Sequence, residues 1–323
     1  LTHKGRWRPV LAERCTGHND VVDLKAQGIC GFELTPTHKV WVKDSRGISH
    51  PKQVAMNATA EWKKAQDLNS CYVNLKLPPE EYPENSNPLH WWIVGRWIAD
   101  GHFGVRGDAF ISVGNHKRFD FETMVGDMVG PPNSLTALQY RLKQNDHLMA
   151  LINKCGSGAA NKKLPPEAFT LPKSLAAKLI EGYLSGDGHF NAERNKWYAT
   201  SVSRELLLGL VFVVQRVYGN VASIHKGRAP GQTEIEGRTV KTQQEWVLSW
   251  GHNSYSYSFL DEEGAWKKVK SVESAGKKTT WNIQVEEDES YTAEGCVVKH
   301  CPLQHDIVDR IITRFSNKGD LVF

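Results

Sequence analysis

LHWWIVGRWIADGHF (89–103) and AKLIEGYLSGDGHF (177–190) are two versions of one pattern. Each is an apolar stretch with small residues four apart, Gly95 and Ala99 in the first, Gly182 and Gly186 in the second, closing on Asp-Gly-His-Phe. Residues four apart share a helix face, and small ones there let two backbones approach closely. Glycine inside a helix costs about 1 kcal/mol relative to alanine, so its presence calls for a packing reason. Each predicted helix runs out at an aspartate followed by Gly101 or Gly188, which read as C-cap glycines. A helix C-terminus is partially negative, so Asp100 and Asp187 are unfavourable there without a neighbouring cation. Side by side, two such ends form an oxygen-rich site for a hard divalent ion, Mg²⁺ first, with Mn²⁺ or Ca²⁺ as alternatives. One motif alone reads as a helix end with a surface aspartate. Two copies favour the paired site. The aspartates lie 87 residues apart, so each repeat has room for a helix, several strands and a second helix.

The 323 residues suffice for two or three domains. The chain is 40% hydrophobic and 24% charged, an ordinary globular composition. No uninterrupted apolar run of about 18 residues occurs, so no membrane span is expected. The opening LTHKGRWRPV is polar and basic, lacks a signal-peptide core and has no initiator Met, as expected of a trimmed or processed fragment. Six scattered cysteines suggest neither a zinc site nor a disulfide framework, and an intracellular, reducing setting is expected. The formal charge of +4 permits acidic partners without demanding them. Local charge says more. Between 226 and 243, Lys226, Arg228, Arg238 and Lys241 are spaced by Gly and Thr, as in a basic hairpin that lies against phosphates, or equally as in a solvated loop.

Residues 1–60 read as β structure, and LPPEEYPENSNP (77–88) as a proline-rich linker. From Leu89 to about Leu260, helix and strand patterns alternate. The polar stretch 262–280 reads as a return connection, and 281–301 is strand-like again. In the last segment Ile307, Val308, Ile311 and Ile312 recur at helical spacing.

IVGRWIADG (93–101) and IEGYLSGDG (180–188) resemble the nine-residue motif of the LAGLIDADG homing endonucleases at its Gly, small and Asp-Gly positions. The resemblance covers about residues 85–262. Two motifs in one chain imply a monomeric pseudo-dimer of αββαββα halves, with motif helices at the centre and two sheets in the major groove of double-stranded DNA. It implies Asp100 and Asp187 as metal ligands, supplemented by the carbonyls of Ala99 and Gly186, and metal-dependent cutting of both strands. A basic residue beside each metal is also usual. Lys143 is the candidate in the first half, and the matching stretch of the second half offers only His252. His102 and His189 read mainly as structural.

LTPTHKV (34–40) places Thr35 and His38 in T-x-x-H spacing, and WNIQVEEDESYTAEGCVVKHC follows about 240 residues later. Together these resemble the sequence blocks of an intein splicing domain of the all-β Hint fold, into which such endonucleases are commonly inserted. The expected fold class is therefore α+β, with the endonuclease inside a Hint-type domain. The implied division is 1–76 Hint, with its first block expected to be missing, 77–88 linker, 89–262 endonuclease, 263–300 Hint, and 301–323 a host fragment resembling a DNA methyltransferase. In splicing, Thr35 and His38 would polarise the scissile amide, and Cys301 would receive the acyl group. The sequence departs from the family pattern at Asn282, Glu289, Lys299 and His300. Imidazole at 300 cannot form a succinimide, so the chain alone is expected not to splice, and the missing N-terminal segment would be its partner.

Overall fold

The computed structural model describes residues 1–46, 50–83, 86–133, 138–235, 238–251 and 257–299. It is a mixed α/β chain in two compact units. Leu1–Gln27, Gly31–Lys76 and Trp266–Lys299 form the first, and Gly28–Cys30 with Leu77–Ala265 form the second.

The first unit opens with β1 (Val10–Ala26), β2 (Ile29–Leu34) and β3 (Lys39–Asp44). A short helix, α1 (Pro51–Asn57), interrupts the expected run of strands, followed by β4 (Glu61–Lys64) and β5 (Cys71–Leu75). Pro51 starts α1 where its missing N–H costs nothing.

The second unit begins with the stretch read as a linker, which is held in place. The Arg216 guanidinium donates to the Pro78 carbonyl at 2.7 Å and pairs with Glu80 at 3.4 Å. A backbone carbonyl outside helix and sheet needs such a partner or water. Next comes α2 (Pro88–Asp100), capped by the Asn87 side chain, which accepts from the Leu89 N–H at 2.9 Å. It is followed by β6 (Gly101–Phe103), β7 (Ala109–Val113), α3 (Arg118–Val125), β8 (Leu138–Arg141) and α4 (Asp146–Asn153). The second repeat is α5 (Lys173–Asp187), β9 (Gly188–Asn191), β10 (Lys196–Ser201), α6 (Arg204–Tyr218), β11 (Ser223–Lys226), β12 (Gly231–Ile235), β13 (Arg238–Thr242), β14 (Trp246–Gly251) and β15 (Ser258–Asp261).

The halves are unequal versions of αββαββα. The second has a four-stranded antiparallel sheet in the order β11-β14-β10-β9, with β12 and β13 as a separate two-stranded ribbon. No closing helix follows β14 among the described residues. The first half pairs only β6-β7-β8, and a fourth strand is reduced to a bridge between Val129 and Leu142. Pro131 and Pro132 follow directly, and residues without N–H cannot extend a ladder.

After β15 the chain returns to the first unit through β16 (Gly264–Val285), β17 (Ser290–Ala293) and β18 (Cys296–Lys299). The expected polar connection over 262–280 is instead part of the 22-residue β16. It pairs antiparallel with β1 from Val10↔Val285 to Ala26↔Val269. Between about 271 and 282 most of its side chains are exposed or half-buried, so apolar alternation is not needed and backbone pairing holds the strand. The sheet runs β17-β18-β3-β5-β16-β1-β2 around a core of Leu24, Val40, Val42, Tyr72, Val73, Trp266 and Val298. The segment carrying Ile307 to Ile312 lies outside the described residues.

Candidate functional site

The site begins with the packing of α2 on α5. A Cβ at Gly95 would lie 2.8 Å from the Tyr183 amide nitrogen and closer still to the Leu179 carbonyl. One at Gly182 would lie 2.8 Å from the Trp92 carbonyl carbon and 3.1 Å from the Arg96 nitrogen. Backbone thus meets backbone in both directions, and no larger residue fits. Trp91, Ile93, Trp97, Leu179 and Ile180 are buried around the contact. Both helices then continue directly into strands.

Gly101 and Gly188 are not left-handed C-caps, which corrects the sequence expectation. Their φ/ψ values are −87°/155° and −88°/144°, extended backbone open to any residue. What excludes a side chain is crowding. A Cβ at Gly188 would sit 2.6 Å from Leu184, and one at Gly101 would enter the Trp97 ring.

Asp100 and Asp187 end these helices close enough to act on one another. Asp187 keeps access to solvent. Crowding by protein, and then the charge of Asp100, pushes its carboxyl up to about 6, against the opposing pull of Arg96, Lys162 and Lys117. Those three cations were not singled out from sequence. Arg96 is buried inside α2, ion-pairs with Asp100, donates to the Ser112 carbonyl at 3.2 Å and stacks over Phe121 at 5.9 Å. Lys117 donates to the carbonyls of Ser185 and Gly186 at 2.8 and 2.9 Å. Lys162 donates to those of Trp97 and Gly101, both at 2.7 Å, and lies 3.9 Å from the Trp97 ring centroid. Each lysine sits on the electronegative C-terminal end of one motif helix. Burial brings the Lys162 amine down to about 8, and Asp187 and Asp100 moderate that fall. Lys162 and Asp187 line one cleft of about 340 Å³, with Ala99, His102 and Thr200.

Two carboxylates that disfavour each other's charge suit a divalent cation, and the donor set is hard oxygen. The fit is partial. Arg96 already holds the Asp100 carboxylate and Lys117 the Gly186 carbonyl. Among the described residues no group of three or more His, Cys, Asp or Glu side chains forms a metal cluster.

Known proteins share parts of this pattern. Residues 174–248 match the LAGLIDADG-like domain. The match takes in nearly all of α5 with Asp187, and the strands and helix after it. LAGLIDADG-like domains are DNA-binding and nuclease-type folds. The chain is also 22% identical over 265 residues to iron-sulfur cluster assembly SufBD family proteins of Mycobacterium tuberculosis and Mycobacterium bovis. That alignment covers 76% of this chain and 31% of theirs, so the chain spans about a third of their length. A second similarity, 30% over 115 residues, is to the DNA-directed RNA polymerase subunit Rpo1C of Methanocaldococcus jannaschii, covering 36% of this chain and 11% of that protein. Among solved structures, the N-terminal LAGLIDADG domain of DUF199/WhiA aligns with a TM-score of 0.29 and 9% identity, covering 51% of this chain and 75% of that one.

The other sequence candidates are dispersed. Lys143, predicted to sit beside Asp100, is exposed and lines a separate cleft with Asp108, Gly130 and Arg141, and it is not among the cations acting on Asp187. It follows β8 rather than a motif helix, which is why proximity in the repeat misled. The lysines that do reach the helix ends lie just before α3 and ahead of α5, and only their spacing from the motifs could have signalled them. His102 is stacked on Phe110 and His189 is exposed on β9, while His252 lies outside the described residues. The basic stretch divides between the end of β11, which holds Lys226, a loop with Arg228, and the antiparallel β12–β13 ribbon. Lys226, Arg228 and Lys241 are exposed, with Arg228 held by Glu245 at 3.4 Å, and Arg238 begins β13.

In the first unit, Thr35 and His38 line a cleft of about 670 Å³ with Asn282 and Tyr291. Burial lowers the His38 pKa, and a hydrogen bond with the Lys299 backbone opposes this. Val298 pairs with Val40, which brings the end of β18 beside the T-x-x-H loop. Lys299 ion-pairs with Glu289 at 3.3 Å. His300 and Cys301 lie outside the described residues. No helix among the described residues is long and apolar enough to cross a membrane.

Proposed function

We propose that this chain is a metal-dependent endonuclease of double-stranded DNA, carried as an insert within a protein-splicing domain. The observation that supports it best is the pair of motif helices in backbone contact, ending together at Asp100 and Asp187. A Mg²⁺ ion bound there would polarise a scissile phosphate and activate water. The chain's own residues prepare for that. Asp187 supplies a solvent-accessible carboxylate. Lys117 and Lys162 fix the helix ends. Lys162 puts a positive charge in the Asp187 cleft, where charge builds up on phosphate. The end of β11, the loop after it and β13 supply Lys226, Arg228, Arg238 and Lys241 to the backbone of the duplex. Cleavage of DNA encoding an uninterrupted host junction tests this. Asp187→Asn and Asp100→Asn should each lose cutting and keep binding. Unchanged cutting by both would exclude the site.

A second reading, DNA binding without cutting, is favoured by one observation, the Arg96–Asp100 ion pair. Binding of the duplex with no cleavage in Mg²⁺ or Mn²⁺ would establish it.

Two observations support the splicing reading. The T-x-x-H loop lies beside the end of β18, where His38 hydrogen-bonds with the Lys299 backbone. The chain also resembles parts of proteins as unlike as an iron-sulfur assembly protein and an RNA polymerase subunit, a distribution natural for an insert that moves between hosts. Lys299 and Glu289, which replace the histidines usual in the resembled family, pair with each other. The division into 1–76 and 263–300 around 89–262, with a host fragment from 301, belongs to this proposal. Its test supplies an N-terminal segment and His300→Asn. Splicing that His38→Ala abolishes supports it, and an unspliced, uncleaved chain refutes it.

A further inference from the structure

Resting on the nuclease reading, we propose that Arg96 is the resident cation of Asp100, so that the two carboxylates take up one divalent ion, at Asp187, rather than two equivalent ions.

The two motifs differ where their pattern should repeat. Aligned on Asp-Gly, position 96 of the first corresponds to Tyr183 in the second, and Ala99 to Gly186. Both position-96-type side chains are buried, and both reach the second strand after their own helix. Arg96 donates to the Ser112 carbonyl at 3.2 Å, and the Tyr183 hydroxyl to that of Thr200 at 3.4 Å. Only Arg96 carries charge, and it ion-pairs with the aspartate of its own motif. Tyr183 is neutral, and burial with the nearby aspartates raises its pKa further. Among the described residues no side chain ion-pairs with Asp187.

Gly186 completes the arrangement. A Cβ there would collide with the Arg96 guanidinium, and would lie 2.5 Å from the Ala99 Cβ and 2.7 Å from the Asp100 carboxylate. The second motif is therefore glycine where the first is alanine, because the first motif's arginine needs that space. A guanidinium cannot deprotonate in a protein and holds a carboxylate through directional hydrogen bonds. The guanidinium occupies Asp100 Oδ2 and leaves only Oδ1 toward an ion, and its fixed positive charge beside that carboxylate repels a second cation; releasing Asp100 for full coordination would leave the buried Arg96 charge unpaired. Asp187 has no such partner to lose.

Mn²⁺ titration of the whole chain, read by the electron paramagnetic resonance of free Mn²⁺, tests the proposal without DNA. The expected result is one bound Mn²⁺, lost in Asp187→Asn and kept in Asp100→Asn with a change in Kd below about threefold. Arg96→Met should gain a second Mn²⁺, and adding Asp100→Asn should remove it. If Arg96→Met does not fold, the two aspartate variants decide alone. Two ions in the wild type, none, or equal loss from both aspartate variants would overturn it. The nuclease reading fails separately. A chain that holds one Mn²⁺ at Asp187 but leaves DNA whole refutes cutting and upholds the role of Arg96. A chain that cuts with two equivalent ions does the reverse.

Discussion

Gly182→Ala separates two opposite expectations. Helix propensity alone makes the substitution stabilising by about 1 kcal/mol. The packing of α2 on α5 makes it destabilising. The new Cβ would lie 2.8 Å from the Trp92 carbonyl carbon and 3.1 Å from the Arg96 nitrogen, with the Trp92 oxygen nearer still. Carbon atoms rest at about 3.5–4.0 Å, so the helices must part by roughly 1 Å. Those neighbours are backbone and cannot rotate away. Overpacking of this kind costs about 1–3 kcal/mol, leaving a net loss of about 0–2 kcal/mol after the propensity gain. The displacement also moves Arg96 and the two aspartates, so cutting should fall by more than stability alone explains. Urea unfolding measures the first effect and cleavage rate at saturating Mg²⁺ the second. Gly209→Ala in α6 is the control, since its Cβ meets only the Leu164 side chain, at 3.0 Å. A Gly182→Ala chain more stable than the wild type would refute the close-contact account.

The raised carboxyl of Asp187 gives a pH signature in metal-free protein. Its folded pKa of about 6 lies above the usual 3.8, so the native state binds the extra proton and stability declines as pH rises through that window. Asp187→Asn should flatten the slope between pH 4 and 6, as followed by urea midpoints, and an unchanged slope would contradict the assignment. Lys162→Met removes the donor to two carbonyls in a buried setting and should lower stability by about 1–3 kcal/mol, with loss of cutting, measured by thermal unfolding and cleavage. Replacing Lys226, Arg228 and Lys241 together by Ala should weaken duplex binding for all sequences alike. It should reduce the salt slope by about 0.9 for each phosphate that is no longer neutralised, and a parallel salt plot would remove these three residues from the interface.

The two motif helices, their shared small-residue faces and the aspartates at their ends were legible in the sequence, because a helix repeats every 3.6 residues and a close contact demands glycine at fixed spacing. The β12–β13 hairpin was legible because Gly and Thr mark a turn within one short stretch, but the placing of Lys226 at the end of β11 was not. The 22-residue β16 was not, since an exposed paired strand has no apolar alternation to betray it. Neither were Arg96, Lys117 and Lys162. A lysine that caps a helix end from another element, 68 or 69 residues away for Lys117 and 61 or 65 for Lys162, leaves no local pattern.

The sequence by itself determined that two aspartates end two matched helices. Only the tertiary structure decided that they are not equivalent. That difference turns on Arg96 and on the space left by Gly186, two residues on different helices whose relation exists only once the backbones touch.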